Sequence, residues 1–223
     1  GPLGHARWTS FRVLSQGDLV VLHDAYDDFP TPGARTIAFD LLRFEGGKIA
    51  EHWTCGQQDP GHYASGHSMV DGATQSDPTA DTAASADLVV TPGKGFVPVV
   101  IIGGALPRLA DFLAPTFAQH DPLIADGLMG LGVGFSQPPL STIRDLAIPE
   151  SLSENDFVFT RSKGTLTYDA EKANSPNNPT VYCDLFRVAG GKIVEHWDVI
   201  QLDPNSSSID AVNTNGAGHT LWD

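Results

Sequence analysis

Two carboxylates and a histidine lie close together near the C-terminal end of the sequence. Asp184 and Asp198 flank a short glycine turn, and His196 lies two residues before Asp198. Two carboxyl groups held near each other can share one proton, which makes one of them a usable acid. A histidine beside them can accept or donate a proton near neutral pH. These residue types indicate acid–base chemistry if the fold brings them together.

Each of these side chains also has a structural interpretation. Asp198 fits a surface position at a strand end, and Asp184 fits an ion pair with Arg187. His196 fits a packed, hydrogen-bonded side chain, because a second copy of its motif keeps the histidine and loses the aspartate. A metal site is a weak alternative, since no helical histidine pair or cysteine pair supports one. We expect no metal and no cofactor.

The turn at Gly190-Gly191 decides which side chains share a face. A three-residue loop that includes Ala189 pairs Asp184 with His196, and the period of two then places Asp198 on the same face. A two-residue loop sends Asp184 to the opposite face from the other two. We favour the three-residue loop, because Gly191 supplies the positive φ that it requires. Glu195 and Trp197 are then expected on the other face.

The elements around this turn occur twice. Residues 40–60 match residues 184–204 at 13 of 21 positions without a gap, and Thr54 stands where the second copy has Asp198. Weaker similarity extends upstream, from 16–24 to 154–162. Both copies read as antiparallel strands rich in β-branched and aromatic residues. The repeat predicts a duplicated fold whose chemistry is restricted to the second copy.

The segment between the copies carries different signals. Residues 61–85 are small and polar and are interpreted as a linker. Apolar residues at helical spacing, with Leu106, Leu109, Phe112 and Leu113 on one stripe, predict a helix that runs to a break at Asp121 and Pro122, and a second helix over about 123–132. The preceding stretch "DLVVTPGKGFVPVVII" favours strand, because its β-branched run contains proline and glycine. The opening "GPLG" looks like the scar left by a tag-removing protease.

Composition excludes several function classes. The 223-residue chain has a net charge of −14, which disfavours nucleic acid and anionic membranes as partners. The sequence shows no apolar run long enough to span a membrane and no signal peptide. Two cysteines, Cys55 and Cys183, do not make a disulfide framework, so we expect a reducing cytoplasmic location.

At this point "YCDLFRVAGGKIVEHWDVIQ" and "LADFLAPTFAQHDPLIADGL" together resemble the SnoaL-like polyketide cyclases of the NTF2-like superfamily. The resemblance implies an α+β cone, in which helices pack on the concave face of a curved antiparallel sheet around an apolar pocket. It covers 83–206 as a whole domain and 6–60 as a partial repeat with strands only. Residues 1–5 are then the scar, 61–82 the linker and 207–223 a tail. It also implies a homodimer, or a pseudo-dimer within one chain.

The resemblance assigns roles to individual residues. Asp198 matches the carboxylate that removes a proton α to a carbonyl in the cyclases, and burial in an apolar cone should raise its pKa. Asp184 stands where the family often has a second polar pocket residue. His120 lies where the family lines the pocket mouth. The acid–base candidates are thus Asp198, Asp184, His120 and His196. The expected substrate-binding residues are Phe159, Phe186, Arg161, Ile200 and Phe117.

These observations predict a cofactor-independent enzyme that acts on a small apolar carbonyl compound as a cyclase, isomerase or aldol-type catalyst. One alternative is a non-catalytic protein of the same fold that binds a small molecule or mediates dimerisation. Another is an epoxide hydrolase, which would need an Asp-Arg-Asp relay with Arg161 as its arginine.

Overall fold

The computed structural model describes residues 5–137, 140–166 and 178–202, which form two β-sheets and a set of short helices. The first sheet is an antiparallel meander in the order β1-β2-β3-β4. Its strands are β1 (Arg7–Gln16), β2 (Leu19–Asp27), β3 (Arg35–Glu45) and β4 (Lys48–Gln58).

The second sheet has five strands in the order β5-β9-β8-β7-β6. They are β5 (Leu113–Gln119), β6 (Arg144–Glu154), β7 (Phe157–Leu166), β8 (Asn178–Ala189) and β9 (Lys192–Leu202). Strands β6 to β9 form an antiparallel meander like that of the first sheet, and β5 runs parallel to β9 at the edge. The chain is therefore an α+β protein with corresponding meanders in its two halves.

The helices lie between the two meanders in sequence and are shorter than predicted. They are α1 (Thr82–Val89), a π-helix (Val97–Ile102), α2 (Leu109–Phe112) and α3 (Gly127–Ser136), with single 3₁₀ turns at Leu106–Arg108 and Leu140–Thr142. Side chains from these helices, including Val100, Phe112 and Leu131, form a core with Phe186 and Ile193 of the second sheet.

Three predictions for this region are wrong. The helix expected beyond Leu106 ends at Phe112, and strand β5 follows it. Pro115 explains the difference, because proline removes a backbone donor inside a helix but is tolerated in an edge strand. The second helix begins at Gly127 rather than 123. The stretch expected as strand forms the end of α1 and the π-helix.

The Gly190-Gly191 loop has two residues, not three. Both glycines have positive φ, 57° and 71°, as a tight hairpin turn requires. Ala189 pairs with Lys192, but Arg187 pairs with Glu195, so β9 contains one extra residue at Val194. The extra residue shifts β9 by one position, so Asp184, His196 and Asp198 lie on the same face, as they would with a three-residue loop. Asp184 consequently pairs with Asp198 rather than with His196.

The first sheet has the same arrangement. Gly46 and Gly47 have φ values of 58° and 77°. The register shifts between Arg43 and Phe44, which is the position corresponding to the shift in the second sheet. Asp40 pairs with Thr54 as Asp184 pairs with Asp198. The corresponding side chains of the two halves therefore occupy corresponding positions on their sheets.

The two sheets pack on each other through a second core. It contains Phe39 and Leu41 of the first sheet with Phe159, Leu185 and Trp197 of the second. A disulfide between Cys55 of β4 and Cys183 of β8 links the sheets across this core. The cysteines are thus paired, because the packing of the two sheets brings β4 of the first against β8 of the second.

Residues 61–81, expected as a linker, form no helix or strand but pack tightly against both sheets. Met69 and Val70 are buried in the core between the sheets. The buried Arg12 donates hydrogen bonds to the carbonyls of this segment and stacks on Trp197, with 4.0 Å from its guanidinium carbon to the ring centroid. The segment is therefore part of the folded body. The predicted tail at 207–223 and the end of the predicted domain at 206 lie outside the described residues.

In the described part of the chain no helix is long and apolar enough to cross a membrane.

Candidate active site

A narrow cavity lies between the second sheet and the helices that cover it. Its free volume is about 40 Å³, and most of its wall is aromatic or aliphatic. Besides the hydroxyl of Tyr182, the polar exceptions are four side chains that can be charged near neutral pH. They are Asp121, Asp184, His196 and Asp198. Among the described residues that line it there is no lysine or arginine. Any negative charge in the cavity must therefore be balanced by protons or by the histidine.

Asp198 lies at the centre of this polar group. It is 7% exposed, and its Oδ1 atom has no hydrogen-bond partner in the described part of the chain. Burial raises the pKa of Asp198 well above its ordinary range, and the neighbouring carboxyls of Asp121 and Asp184 raise it further. This environment favours the protonated, neutral form of the carboxyl.

Asp121 is the nearest partner for that acid. Its Oδ1 accepts a hydrogen bond of 2.6 Å from the backbone N–H of Leu123, which favours the ionised form. Burial raises the pKa of Asp121, while the bonds from Leu123 and from Asp198 act in the opposite direction. Its Oδ2 has no hydrogen-bond partner among the described residues, and neither has Oδ1 of Asp198. A proton on Asp198 directed at Asp121 would satisfy both groups, because two neighbouring carboxyls can share one proton.

Asp184 and His196 form the other half of the polar group. The Nε2 atom of His196 lies 3.1 Å from Oδ1 of Asp184. The hydroxyl of Thr160 donates a 3.3 Å bond to Oδ2 of the same carboxyl. The Nδ1 atom of His196 lies 3.0 Å from Oε1 of Gln119, which is paired with His196 across the β5–β9 ladder. The parallel edge strand β5 thus adds the contact of Gln119 with His196, which strands β6 to β9 cannot provide by themselves.

Three of the expected substrate-binding residues line the cavity. Phe186 and Ile200 lie on β8 and β9, and Phe117 lies on β5 rather than on a helix. Phe159 and Arg161 do not line it, and that expectation is wrong. Thr160 pairs with Asp184 and shares its face, so the residues on either side of Thr160 point into the core between the sheets. There Arg161 donates to Glu150 at 2.9 Å.

His120 is also absent from the cavity, and its expected place at the mouth is wrong. It follows Gln119 on the strand and therefore faces the other way. Its ring stacks on Trp197 at 4.8 Å, and its Nε2 atom lies 3.1 Å from Glu195. It is 1% exposed. His120 consequently belongs to a buried network between the sheets and has no path to a ligand in the cavity.

Sequence reasoning missed two functional positions. Gln119 was not considered, because the segment was read as a helix and its neighbour on β9 was unknown. Asp121 enters the sequence analysis only as part of the break between the two predicted helices. Pro115 is the residue from which both positions could have been predicted, because proline disfavours a helix there and is tolerated in an edge strand. An edge strand places Gln119 beside His196.

Three donor atoms of the polar group are close enough to hold a metal ion. One atom each from Asp184, His196 and Asp198 lies within 4.8 Å of the others. A cation there would require the Asp198 proton to leave, because a protonated oxygen is a poor ligand. These three donor atoms do not need a metal. His196 contacts Asp184 directly, and a proton can occupy the Asp198 carboxyl.

The corresponding group in the first sheet differs in burial and in composition. Asp40 accepts hydrogen bonds from Tyr26 at 2.8 Å and from Thr54, and lies 2.6 Å from Nε2 of His52. The His52 side chain is 51% exposed. These bonds lower the pKa of Asp40 against the effect of its burial. The group holds an ionised carboxylate and lacks the neutral acid that the second sheet provides.

No protein-family model matches the chain, and no curated protein sequence matches it. Solved structures with a similar fold include an NTF2-like protein of unknown function from Mesorhizobium loti, which is 17% identical over 56% of this chain and 97% of its own length, with a TM-score of 0.42. A SnoaL-like polyketide cyclase from Agrobacterium tumefaciens is 16% identical over 46% of this chain and 83% of its own, with a TM-score of 0.37. An LEH-like epoxide hydrolase from M. tuberculosis is 13% identical over 54% of this chain and 84% of its own, with a TM-score of 0.40. At these values the reaction has to be inferred from the site itself.

Proposed function

We propose that the protein is a SnoaL-like member of the NTF2-like superfamily that catalyses cofactor-independent acid–base chemistry on a small apolar carbonyl compound. The observation that carries this proposal is the pairing of Asp198, a buried carboxyl with a strongly raised pKa, with the carboxyl of Asp121 in an apolar cavity. Two carboxyls whose environments separate their pKa values have the arrangement that general acid–base catalysis requires.

The two carboxyls take different roles in this proposal. The raised pKa favours a protonated Asp198 in the resting enzyme, so in this proposal it acts as the acid rather than as the base expected from the sequence. Asp121, whose ionised form the Leu123 N–H favours, is the base. Asp121 removes a proton α to the substrate carbonyl, and Asp198 gives its proton to the carbonyl oxygen. The product is a neutral enol, and the single negative charge of the two carboxyls moves from Asp121 to Asp198, where a hydrogen bond from the newly protonated Asp121 can stabilise it.

The enol can then react in two ways. Return of a proton to a different carbon completes an isomerisation, and attack of the enol carbon on a second carbonyl closes a carbon–carbon bond. The apolar wall favours both, because proton transfers between groups held in place are not weakened by competing water. The walls contributed by Phe117, Phe186 and Ile200 suit a small, uncharged substrate.

Proton exchange at carbon tests this proposal without knowledge of the natural substrate. A panel of small cyclic and aryl ketones is incubated in deuterated buffer, and loss of the α-proton signal is followed by NMR. We expect the wild-type protein to accelerate exchange of at least one ketone, and Asp121→Asn and Asp198→Asn each to reduce the rate by about 10²–10⁴-fold. Asp40→Asn in the first sheet is the matched control and should keep the wild-type rate.

If exchange is not accelerated, or if Asp121→Asn and Asp198→Asn exchange as fast as the control, the acid–base proposal fails. The second candidate function is then a non-catalytic protein that binds a small molecule or mediates dimerisation. The small free volume of the cavity, about 40 Å³, favours dimerisation over ligand binding within that alternative, because any small molecule would have to displace wall side chains to enter. The face-to-face packing of the two sheets supports a pseudo-dimer within one chain.

The epoxide hydrolase alternative is less well supported. Its relay needs an arginine between two aspartates, and Arg161 faces the core between the sheets, where it pairs with Glu150. No other arginine lines the cavity in the described residues.

A further inference from the structure

We infer that Gln119 is a positioning residue that fixes the tautomer of His196, so that the imidazole exchanges protons with the cavity only through Nε2. This inference deepens the proposed function, on which its catalytic meaning rests. The tautomer itself is a property of the resting protein, so it can be measured without a substrate.

The orientation of the Gln119 amide is determined by its surroundings. Its Oε1 atom accepts a 2.8 Å hydrogen bond from the backbone N–H of His120 and a 3.0 Å bond from the backbone N–H of Asp121. Backbone N–H groups only donate, so the atom that faces them must be the carbonyl oxygen and not the amide nitrogen. The side chain is fully buried, which prevents water from replacing either bond.

The same oxygen determines where His196 carries its proton. Nδ1 of His196 lies 3.0 Å from Oε1 of Gln119. Since a carbonyl oxygen cannot donate, Nδ1 must carry a hydrogen and donate it. The other ring nitrogen, Nε2, is then the only site that can gain or lose a proton while the contact is intact.

The contact between Nε2 and Asp184 requires one further proton. The two atoms are 3.1 Å apart, and a bare nitrogen would repel an ionised carboxylate oxygen at that distance. One proton must therefore lie between them, either on Nε2 or on Oδ1 of Asp184. His196 and Asp184 thus hold a mobile proton beside the Asp121–Asp198 pair, and Gln119 keeps it on the cavity side of the ring.

Gln119 also positions the proposed base. Its oxygen binds the backbone N–H of Asp121, and His120, between the two, donates its backbone N–H to the carbonyl of His196 at 2.9 Å. One buried side chain therefore holds the backbone of Asp121 and the ring of His196 in fixed relation. The first sheet offers a natural contrast, because β4 has no parallel neighbour among the described strands, and the contacts of His52 with described residues run through Nε2, to Asp40 and Thr54.

Long-range ¹H–¹⁵N correlation spectra of the uniformly labelled protein test the inference. Such spectra distinguish protonated from bare ring nitrogens, and the His196 signals are identified by their loss in His196→Gln. We expect Nδ1 to remain protonated at every pH at which the protein is folded, with only Nε2 changing state. A neutral ring with a bare Nδ1 in the wild-type protein would overturn the inference.

Three variants distinguish a positioning role of Gln119 from a general loss of structure. Gln119→Met removes the acceptor at similar volume and should allow the Nε2–H tautomer to appear, whereas Gln119→Glu keeps an acceptor and should retain the wild-type pattern. Gln201→Met is the control, because Gln201 is also buried and also accepts a backbone N–H, from Gly56, but lies on the opposite face of β9. An unchanged tautomer in Gln119→Met would show that Gln119 does not fix it.

If Gln119→Met does not fold, Asp184→Asn tests the same inference. An asparagine at 184 can either donate to Nε2 or accept from it. If Gln119 sets the tautomer, Nδ1 stays protonated in this variant and Nε2 is bare. If Asp184 sets it instead, the Nε2–H tautomer appears and the inference is wrong. Failure of the ketone-exchange assay together with a fixed Nδ1–H would reject the proposed function alone.

Discussion

The pH dependence of stability should change when Asp198 is replaced by asparagine. In the native protein, burial and two neighbouring carboxyls raise the pKa of Asp198 well above its ordinary range. The unfolded chain has an ordinary carboxyl that ionises near pH 4. Between these two values the native state holds one more proton than the unfolded state, so the free energy of unfolding falls as pH rises. The stabilising contribution is complete below pH 4 and is lost on the way to the raised native pKa.

The magnitude follows from the single proton that Asp121 and Asp198 share. One proton corresponds to a slope of about 1.4 kcal/mol per pH unit. Asparagine cannot ionise, so Asp198→Asn lacks this slope. Above about pH 4 the variant should gain up to about 1.4 kcal/mol per pH unit on the wild-type protein until the raised native pKa is reached, and each kcal/mol corresponds to about 2–4 °C in Tm for a chain of this size.

Urea unfolding at several pH values measures this difference directly. The difference between the two proteins cancels the contributions of titrating groups that do not interact with Asp198, including Asp24, whose pKa burial also raises. Asp111→Asn, at an exposed aspartate paired with Arg108, is the control and should leave the slope unchanged. Parallel stability curves for wild type and Asp198→Asn would show that Asp198 is ionised in the native state, and the assignment of Asp198 as the acid would be wrong.

Three further predictions concern the region between the sheets. Arg12→Met should lower the free energy of unfolding by more than about 3 kcal/mol in urea, because the carbonyls of residues 70, 71 and 73 lose their buried donor; equal stability would contradict this. Reduction of the Cys55–Cys183 disulfide should cost about 2–4 kcal/mol in thermal unfolding, and a Cys55→Ala/Cys183→Ala protein should not respond to reductant. Gly72→Ala should destabilise by about 1–3 kcal/mol, since φ is +87° and the new methyl would collide with Glu195, whereas Gly33→Ala, with a similar φ but open space, should cost less.

The sequence predicts which side chains of a strand share a face, but it does not predict which residues pair with each other across the strands. Period-two alternation placed Asp184, His196 and Asp198 on one face, and the structure brings them together in the cavity. The prediction reached this grouping with the wrong loop. A two-residue turn followed by a bulge at Val194 puts the same side chains on one face as a three-residue loop does. The local sequence does not distinguish the two arrangements.

The residues that were misplaced depend on contacts between distant segments. Phe159 and Arg161 were assigned to the cavity because the pairing of β7 with β8 could not be read across the intervening loop. His120 and Gln119 depend on whether 113–119 is helix or strand, and the strand exists because β9 offers a free edge in parallel register. The disulfide was missed for the same reason, since Cys55 and Cys183 meet only when the two sheets pack together.

The most direct test of the account is whether a protonated carboxyl exists in the cavity at neutral pH. Infrared difference spectra of protein labelled with ¹³C at the aspartate carboxyls can detect the C=O stretch of a neutral carboxylic acid. We predict such a band at pH 7 that disappears in Asp198→Asn and persists in Thr54→Val, which alters only the corresponding position of the first sheet. Identical bands in wild type and Asp198→Asn would show that the cavity holds no neutral acid at Asp198, and the proposed chemistry would lose its acid.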